Sequence, residues 1–452
     1  MFIVLSLFIL YLFLMGCIPA SFSRTKGHLL EQVALAIAVG ILINYCLMLT
    51  GQTITRVFAA GMVLALWGVL GLVRDLRIRP LRRIGEYDKT TVFSVLCVTY
   101  ILVVYYFEIF SEPILHSDAR FIWFFHAKMI WAEGALRRSG GWNHPSLAFS
   151  NPDYPELVPA IAAQLAYLKG YWNEFLPKGS LLVMLVPLTL WVFSFCRKSL
   201  SFIWLVLIFF FSLGAWLWNG YMDGYLALYC GVAVLLFGRY LSERRDTDLY
   251  SGICALGIGA GLKNEGLLFG LCVIAALLYI SREYPEFSPG RFARRIRTDS
   301  LLARVLLLSI APTLLWTIAK GAWGLRSDLA NDPSAGLSRL LNRLVDGSTP
   351  GYLLNYLTVR ATTVWLLIGL FAVVVVFSVY QRSKMHRGAL VAAMTSALYF
   401  CGIYLVYLST PHNILNFYLF TSGTRTMATA CVALFVSMFF LLSTLEVNEA
   451  VQ

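Results

Sequence analysis

Two carboxylates, one lysine and one arginine lie beside long apolar stretches of this sequence, where charged side chains are uncommon. They are Asp118, Asp223, Lys263 and Arg425. A carboxylate can take the proton from an attacking hydroxyl group, and a lysine or an arginine can bind phosphate oxygens. If the four side chains lie together, they can support transfer of a group from a phosphate to a hydroxyl.

Each of the four residues also has a purely structural interpretation. Asp118 can be a solvated loop residue, and Asp223 can cap the first turn of a helix. Lys263 can pair with its near neighbour Glu265, and Arg425 can anchor a helix at the membrane surface. The elements that carry these residues therefore decide between structure and chemistry.

The composition identifies the class of protein. Of the 452 residues, 59% are hydrophobic and only 13% are charged, which excludes a water-soluble domain with a charged surface. The net charge of +12 comes from lysines and arginines that cluster between apolar runs, as membrane topology requires, and does not indicate a nucleic-acid surface. The chain is expected to be an integral membrane protein.

Thirteen apolar runs have about the length that a helix needs to cross a bilayer. They are residues 2–20, 28–50, 54–73, 91–110, 179–196, 202–218, 223–241, 249–262, 266–280, 301–320, 361–380, 388–408 and 426–445. The first run lacks a basic leader and a cleavage site, so we expect it to be retained. The shorter apolar piece 157–168 is expected to lie on the membrane surface. The expected fold is therefore an all-α polytopic membrane protein with about 13 transmembrane helices.

This arrangement places the basic clusters on one side, which the positive-inside rule assigns to the cytoplasm. The connections on the outer side include residues 111–178, 321–360 and 409–425. The first of these is polar, aromatic and proline-rich, and a connection this long usually has a function. We therefore expect three parts: an N-terminal membrane segment 1–90, a module 91–320 that contains the long outer loop, and a C-terminal module 321–452.

The donor is not expected to be a free nucleotide. The sequence has neither a phosphate-binding loop of the GxxxxGK[ST] type nor a GxGxxG turn. A phosphate carried on a lipid needs no such motif. The four charged residues therefore indicate transfer of a sugar from a polyprenyl-phosphate carrier.

The order of these elements resembles the GT-C superfamily of integral-membrane glycosyltransferases, and is similar to the bacterial protein O-mannosyltransferase and lipid A aminoarabinose transferase group. The resemblance covers about Thr91 to Lys320. It rests on Asp118 soon after a span, on the proline-bearing segment DYPELVP that begins at Asp153, and on Asp223. The KNEG turn at Lys263 and, more weakly, the TSGTR segment that ends at Arg425 extend it.

The resemblance implies an inverting transfer in one displacement, on the outer face of a bacterial inner membrane. Asp118 would be the general base, with Asp223 as a second catalytic carboxylate. The residues implied to bind the donor phosphate are Lys263, Arg425 and Arg360. Those implied to position the substrates are Arg120, His116, Asp153, Tyr154, Glu265 and His412.

The same resemblance implies the partners, which are a polyprenyl-phosphate sugar donor, a lipid, glycan or protein acceptor, and no nucleic acid. No Asp-x-Asp or Glu-x-Asp pair accompanies Asp118, so no obligatory metal cofactor is expected. A divalent cation bound by His116 and His126 is the alternative.

Two other functions use related features. A lipid or sugar transporter places ionisable residues at mid-membrane depth on broken helices, usually in two similar halves, and this sequence shows no convincing internal repeat. A polysaccharide polymerase or ligase relies on cations in a late outer loop, a role open to loop 321–360 and His412. These functions differ from the first in whether Asp118 or the late-loop cations are indispensable.

Overall fold

The structure is a computed structural model that describes residues 1–17, 29–78, 89–136, 144–196, 199–282, 284, 287–325, 333–359, 362–380 and 386–451. Within these ranges the chain is helical, apart from turns and one isolated bridge between Thr53 and Ala135. The α-helices of the first half are α1 (Phe2–Gly16), α2 (Leu29–Leu49), α3 (Ile54–Ile78), α4 (Lys89–Ser111), α5 (Phe124–Glu133), α6 (Leu157–Lys169), α7 (Gly179–Phe193), α8 (Leu200–Val206), α9 (Met222–Glu243) and α10 (Asp246–Leu262). Those of the second half are α11 (Asn264–Ile280), α12 (Pro289–Thr298), α13 (Ser300–Trp323), α14 (Pro333–Asp346), α15 (Ser348–Val359), α16 (Thr362–Tyr380), α17 (Arg387–Ser409), α18 (His412–Tyr418) and α19 (Thr424–Val451).

Eight helical segments of the described residues are long and apolar enough to cross a membrane, which confirms a polytopic α-helical membrane protein. They are Leu29–Leu49, Ile54–Arg74, Lys89–Ser111, Leu176–Phe193, Met222–Glu243, Ser300–Trp323, Arg387–Ser409 and Ile414–Glu446. The total of 13 stays a prediction. The run 202–218 differs from expectation, because α8 continues only as a π-helical turn to Phe211, and a separate 3-10 turn follows at Gly214–Leu217.

The two ends of the α9–α10 hairpin define two ends of the helical bundle. Lys263, at the end of α10, contacts Asp223, at the start of α9. Asp248, near the start of α10, contacts Arg239, near the end of α9. These pairs are separated by about 24 Å along α9, at 1.5 Å per residue. We call the end with Asp223 and Lys263 the site end, and the end with Arg239 and Asp248 the opposite end.

A buried ion cluster closes the opposite end. The Arg239 guanidinium lies 2.7 Å from Glu31 and 2.6 Å from Asp248, and Arg245 also contacts Glu31. The Arg239 guanidinium also stacks 3.7 Å from the ring of Phe195. Charged groups this deeply buried are stable only when they are paired. The cluster therefore joins α2 to the α9–α10 hairpin.

The helix α6 is buried, whereas the sequence predicted a helix on the membrane surface. Its first ten residues, Leu157–Ala166, are all buried, and it packs against α5, α7, α1, α2 and α10. Four of these ten residues are alanines, Ala160, Ala162, Ala163 and Ala166, which allow neighbouring helices to approach closely. The long loop is therefore folded back onto the helices beneath it.

The region 321–360 contains a helix with an unusual orientation. The arginines of α14 face the protein: Arg343 donates to the carbonyls of Tyr407 and Leu408, and Arg339 donates to that of Ser409. The last carbonyls of a helix have no partner within the helix, so these arginines complete the C-terminus of α17. Four apolar side chains of α14 are instead exposed, namely Leu337, Leu341, Leu344 and Val345.

Candidate functional site

At the site end, five charged side chains form a chain of alternating sign. Arg425 Nη1 lies 2.5 Å from Asp118 Oδ2 and 3.5 Å from Asp223 Oδ2. Lys263 Nζ donates to Asp223 Oδ1 at 2.9 Å and lies 3.4 Å from Glu265 Oε1. We call this set, Asp118, Arg425, Asp223, Lys263 and Glu265, the charge ladder. It joins residues that are more than 300 positions apart in the chain.

Two π-helical turns position Asp118 and Arg425. Asp118 directly precedes the turn Ala119–Trp123, and Arg425 is the second residue after the turn Leu419–Gly423. Such turns leave irregular backbone geometry and are often found at functional sites. The Arg425 side chain is further fixed by donation from Nε to the carbonyl of Thr421 at 2.9 Å.

The ring of Tyr221 packs against the Arg425 guanidinium. The Arg425 guanidinium lies 4.7 Å from the ring centroid of Tyr221, a cation–π distance. The Tyr221 hydroxyl lies 3.0 Å from that of Ser117, directly before Asp118. Tyr221 therefore contacts Arg425 directly and is linked to Asp118 through the adjacent Ser117.

The ladder is buried at its centre and open at its outer members. The side chains of Asp223 and Lys263 are 3% and 6% exposed, whereas those of Arg425 and Asp118 are 15% and 24% exposed. Asp223 lies in the first turn of α9 but does not cap it, since the cap position belongs to Tyr221. Asp118 and Glu265, which is 21% exposed, are therefore the carboxylates open to an incoming molecule, and Asp223 is the one that holds the two cations.

A second polar cluster lies beside the ladder. Asn264 Nδ2 donates to Asp153 Oδ2 at 3.0 Å, Lys320 Nζ lies 3.9 Å from the same oxygen, and Trp316 Nε1 donates to the Asp153 carbonyl at 3.3 Å. Burial raises the pKa of the Asp153 carboxyl to about 6, although Lys320 and Asn264 act in the other direction. Because Asn264 follows Lys263, the cluster and the ladder are rigidly connected.

The ring of Tyr154, in the long loop, lies between Trp123 and Lys263. It stacks on Trp123, with centroids 5.5 Å apart and planes inclined by 18°, and Lys263 Nζ lies 5.6 Å from its centroid. Trp123 belongs to the π-helical turn that follows Asp118. The stack therefore ties the position of that turn to the position of Lys263.

The remaining predicted residues are less directly placed. His116 pairs with Glu112 at 3.1 Å and Arg120 lies 5.7 Å from the ring of Phe121, and within the described residues neither has an ion pair or hydrogen bond with the ladder. His412 begins α18. Arg360 lies outside the described residues.

Sequence reasoning missed the partners of a buried histidine in the long loop. His126 Nδ1 lies 3.0 Å from Glu156 Oε1, and its Nε2 lies 3.1 Å from Ser150 Oγ. The Ser150 hydroxyl donates to the Leu147 carbonyl, so its proton is already used and the serine is not arranged as a nucleophile. This group joins α5 to the start of α6, and it does not contact Asp118 in the structure as described.

The site has no metal-ligand set among the residues that the structure describes. No group of three or more His, Cys, Asp or Glu side chains there has an arrangement that holds a metal ion. The carboxylates of the ladder are bridged by Arg425 and Lys263 instead. A divalent cation stays an untested alternative.

Sequence reasoning also missed Lys320 and Asn264. Lys320 closes the apolar run 301–320, and an ionisable group at the end of a span is a signal of function. Asn264 lies inside the KNEG turn, but nothing in the sequence shows that its amide reaches the long loop.

Comparison of the chain with protein-family models, with curated protein sequences and with solved structures gave no match.

Proposed function

We propose that the protein is a glycosyltransferase that moves a sugar from a polyprenyl-phosphate donor to an acceptor hydroxyl, with inversion at the anomeric carbon. The charge ladder is the observation that carries this proposal. It brings a partly open carboxylate, Asp118, within contact of a cation, Arg425, that can bind phosphate. Both lie at the end of a bundle of apolar helices, where a donor with a lipid tail can arrive from the bilayer.

The resting ladder has to exchange partners before the reaction. Arg425 is bound to two carboxylates, and Lys263 is also bound to two. A donor phosphate would replace Asp118 on the exposed side of Arg425, while Asp223 continues to hold Arg425 and Lys263 in place. Asp118 is then released to accept a proton.

The chemical step balances with these residues alone. The acceptor oxygen forms a bond to the anomeric carbon as the bond from that carbon to the phosphate oxygen breaks, and the electron pair leaves with the phosphate. The proton of the acceptor hydroxyl goes to Asp118, which acts as general base. Arg425 and Lys263 stabilise the charge that develops on the departing phosphate, which is the role of preorganised cations in such transfers. Asp223 is a positioning residue in this scheme, since it acts through the two cations.

The cluster beside the ladder would bind the parts of the substrates that do not react. Glu265 is 21% exposed in its side chain, and Lys320 is 26% exposed, so both can be reached from outside. Asp153 and Tyr154 are held against them by Asn264 and Trp123. We assign these residues to the positioning of the acceptor or the sugar.

The ladder favours transfer at a membrane surface over transport through the membrane. Asp223 lies in the first turn of α9, which is long enough to cross the membrane, and Lys263 contacts it, so both lie near the end of a span, whereas a transporter holds its ionisable residues near the midplane. A ligase that relies on late-loop cations is less well supported, because Arg339 and Arg343 are bound to the carbonyls of α17. A bacterial inner membrane, with the site on the extracytoplasmic face, is part of the proposal.

Transfer of labelled sugar by the purified protein tests the proposal. The protein in detergent is incubated with a mixed pool of polyprenyl-phosphate sugars and a broad set of acceptors. Wild type should move label to an acceptor. Asp118→Asn should transfer label at least about 100-fold more slowly, because it lacks the contribution of a general base. Glu174→Gln is the matched control, because Glu174 is an exposed carboxylate of the same loop whose side chain accepts a hydrogen bond from Trp172 and has no ion pair with the ladder among the described residues. Equal rates for wild type and Asp118→Asn would refute the assignment.

A further inference from the structure

The short helix α12 presents a row of arginines on the outside of the opposite end. Arg291, Arg294 and Arg297 are all exposed and follow one another at intervals of three residues. Residues at this spacing share one face of a helix. The apolar side chains of α12, Phe292 and Ile296, are partly buried and pack against the hydrophobic core. The helix is therefore amphipathic, with its charged face turned away from the protein.

A fourth arginine fastens the helix to the bundle. Arg295 donates from Nη1 to the Tyr240 hydroxyl and from Nη2 to Asp246 Oδ1, each at 2.5 Å. Directly after α12, Asp299 caps α13 through the amides of Leu301 and Leu302. The arginine row is therefore held in a fixed position and is not carried on a loose loop.

The position of α12 in the chain sets its depth relative to the bilayer. Only Asp299 separates α12 from α13, one of the helices long and apolar enough to cross a membrane. Tyr240 and Asp246, which bind Arg295, lie at the turn between α9 and α10, at the opposite end. An α13 that crosses the bilayer places the arginine row at the level of the lipid headgroups, in the leaflet away from the charge ladder.

The three arginines of the row lack ion-pair partners within the described part of the chain, whereas Arg295 and Arg304 of the same region are bound to protein groups. Guanidinium groups at headgroup depth are attracted to anionic lipids. We propose that Arg291, Arg294 and Arg297 form a binding surface for the headgroups of anionic phospholipids.

Titration of the full-length protein in detergent with phosphatidylglycerol or phosphatidylcholine, read by native mass spectrometry, tests this surface. Wild type should bind phosphatidylglycerol more tightly than phosphatidylcholine. The triple variant Arg291→Gln, Arg294→Gln, Arg297→Gln should bind phosphatidylglycerol about 100-fold more weakly, which corresponds to about 1 kcal/mol for each arginine. The corresponding triple lysine variant keeps the charge and should bind like wild type.

A matched triple variant on the site end controls for the loss of net charge. Arg56→Gln, Lys128→Gln and Lys169→Gln remove three exposed positive charges, two of them within the long loop. This variant should keep wild-type affinity for phosphatidylglycerol. Equal affinity of the glutamine variant of α12 and wild type would overturn the proposal. So would equally strong competition by free glycerol phosphate, which would identify a soluble phosphate as the ligand. Sugar transfer is not measured, so this test is independent of the proposed enzyme activity.

Discussion

The charges of Asp223 and Lys263, which form a buried pair, should stabilise each other far more strongly than the charges of an exposed pair of the same geometry. Their side chains are 3% and 6% exposed and their charged atoms are 2.9 Å apart. Removal of one partner from a buried pair leaves an uncompensated charge and usually costs about 3–5 kcal/mol. In this pair, each charge keeps one further partner, Arg425 for Asp223 and Glu265 for Lys263.

This second partner lowers the expected cost. Asp223→Asn and Lys263→Met should each reduce the free energy of unfolding by about 3 kcal/mol, the low end of the range for buried pairs. The double variant removes both charges together and should lose less than the sum, with a coupling energy of about 2 kcal/mol. The exposed pair of Asp246 and Arg295 is the control, since it is 2.5 Å apart but Asp246 is 56% exposed. Its coupling energy should stay below about 1 kcal/mol.

Equilibrium unfolding in mixed micelles with increasing sodium dodecyl sulfate, followed by tryptophan fluorescence, gives the four free energies of each cycle. Because Asp223 and Lys263 are buried, their coupling energy should exceed the coupling energy between Asp246 and Arg295. Equal coupling energies in the two cycles would refute the reasoning, because burial would then have no effect on the strength of the ion pair.

Two further predictions concern stability. Because burial raises the pKa of Asp153 to about 6 from an ordinary 3.8, the folded protein holds this proton more tightly than the unfolded chain, so stability should fall by up to about 3 kcal/mol as pH rises from about 4 to about 6. Asp153→Asn should remove that pH dependence in thermal unfolding curves, and an unchanged slope would contradict the assignment. Gly40→Ala should cost about 2 kcal/mol, since its new methyl group would lie 1.9 Å from the Leu12 carbonyl where α1 crosses α2. Gly71→Ala, with nothing within 4 Å, should leave stability unchanged or raise it slightly, and equal losses in both variants would show that the close crossing is absent.

The membrane class could be predicted from the sequence because it depends on composition and on the length of apolar runs. Most helix bounds follow those runs closely, as at Leu29–Leu49 and Ser300–Trp323. The break after Phe211 could not be predicted, because the residues around it are apolar and their hydropathy does not distinguish a continuous helix from a π-helical turn. The burial of α6 was also missed, since a short apolar helix has the same composition whether it faces lipid or protein.

The members of the charge ladder were all identified in the sequence, but their contacts with one another were not. Asp118 and Arg425 are 307 positions apart, and the sequence contains no information on which helices bring them together. Local pairs were easier to anticipate, as with Lys263 and Glu265. The catalytic and binding roles of these residues remain predictions. The buried cluster around Arg239 was missed, although Glu31 inside an apolar run was a signal that a partner exists.

The exchange of partners at Arg425 is the central claim, and donor binding tests it most directly. Binding of a labelled polyprenyl-phosphate sugar is measured by equilibrium filtration for wild type, Asp118→Asn and Arg425→Gln. Asp118→Asn removes the carboxylate that competes with the donor phosphate, so this variant should bind the donor at least as tightly as wild type while transferring no sugar. Arg425→Gln should bind the donor at least about 10-fold more weakly, the loss expected for one charge-assisted contact of about 1.5–3 kcal/mol. Weakened donor binding by Asp118→Asn, equal to that of Arg425→Gln, would contradict the account.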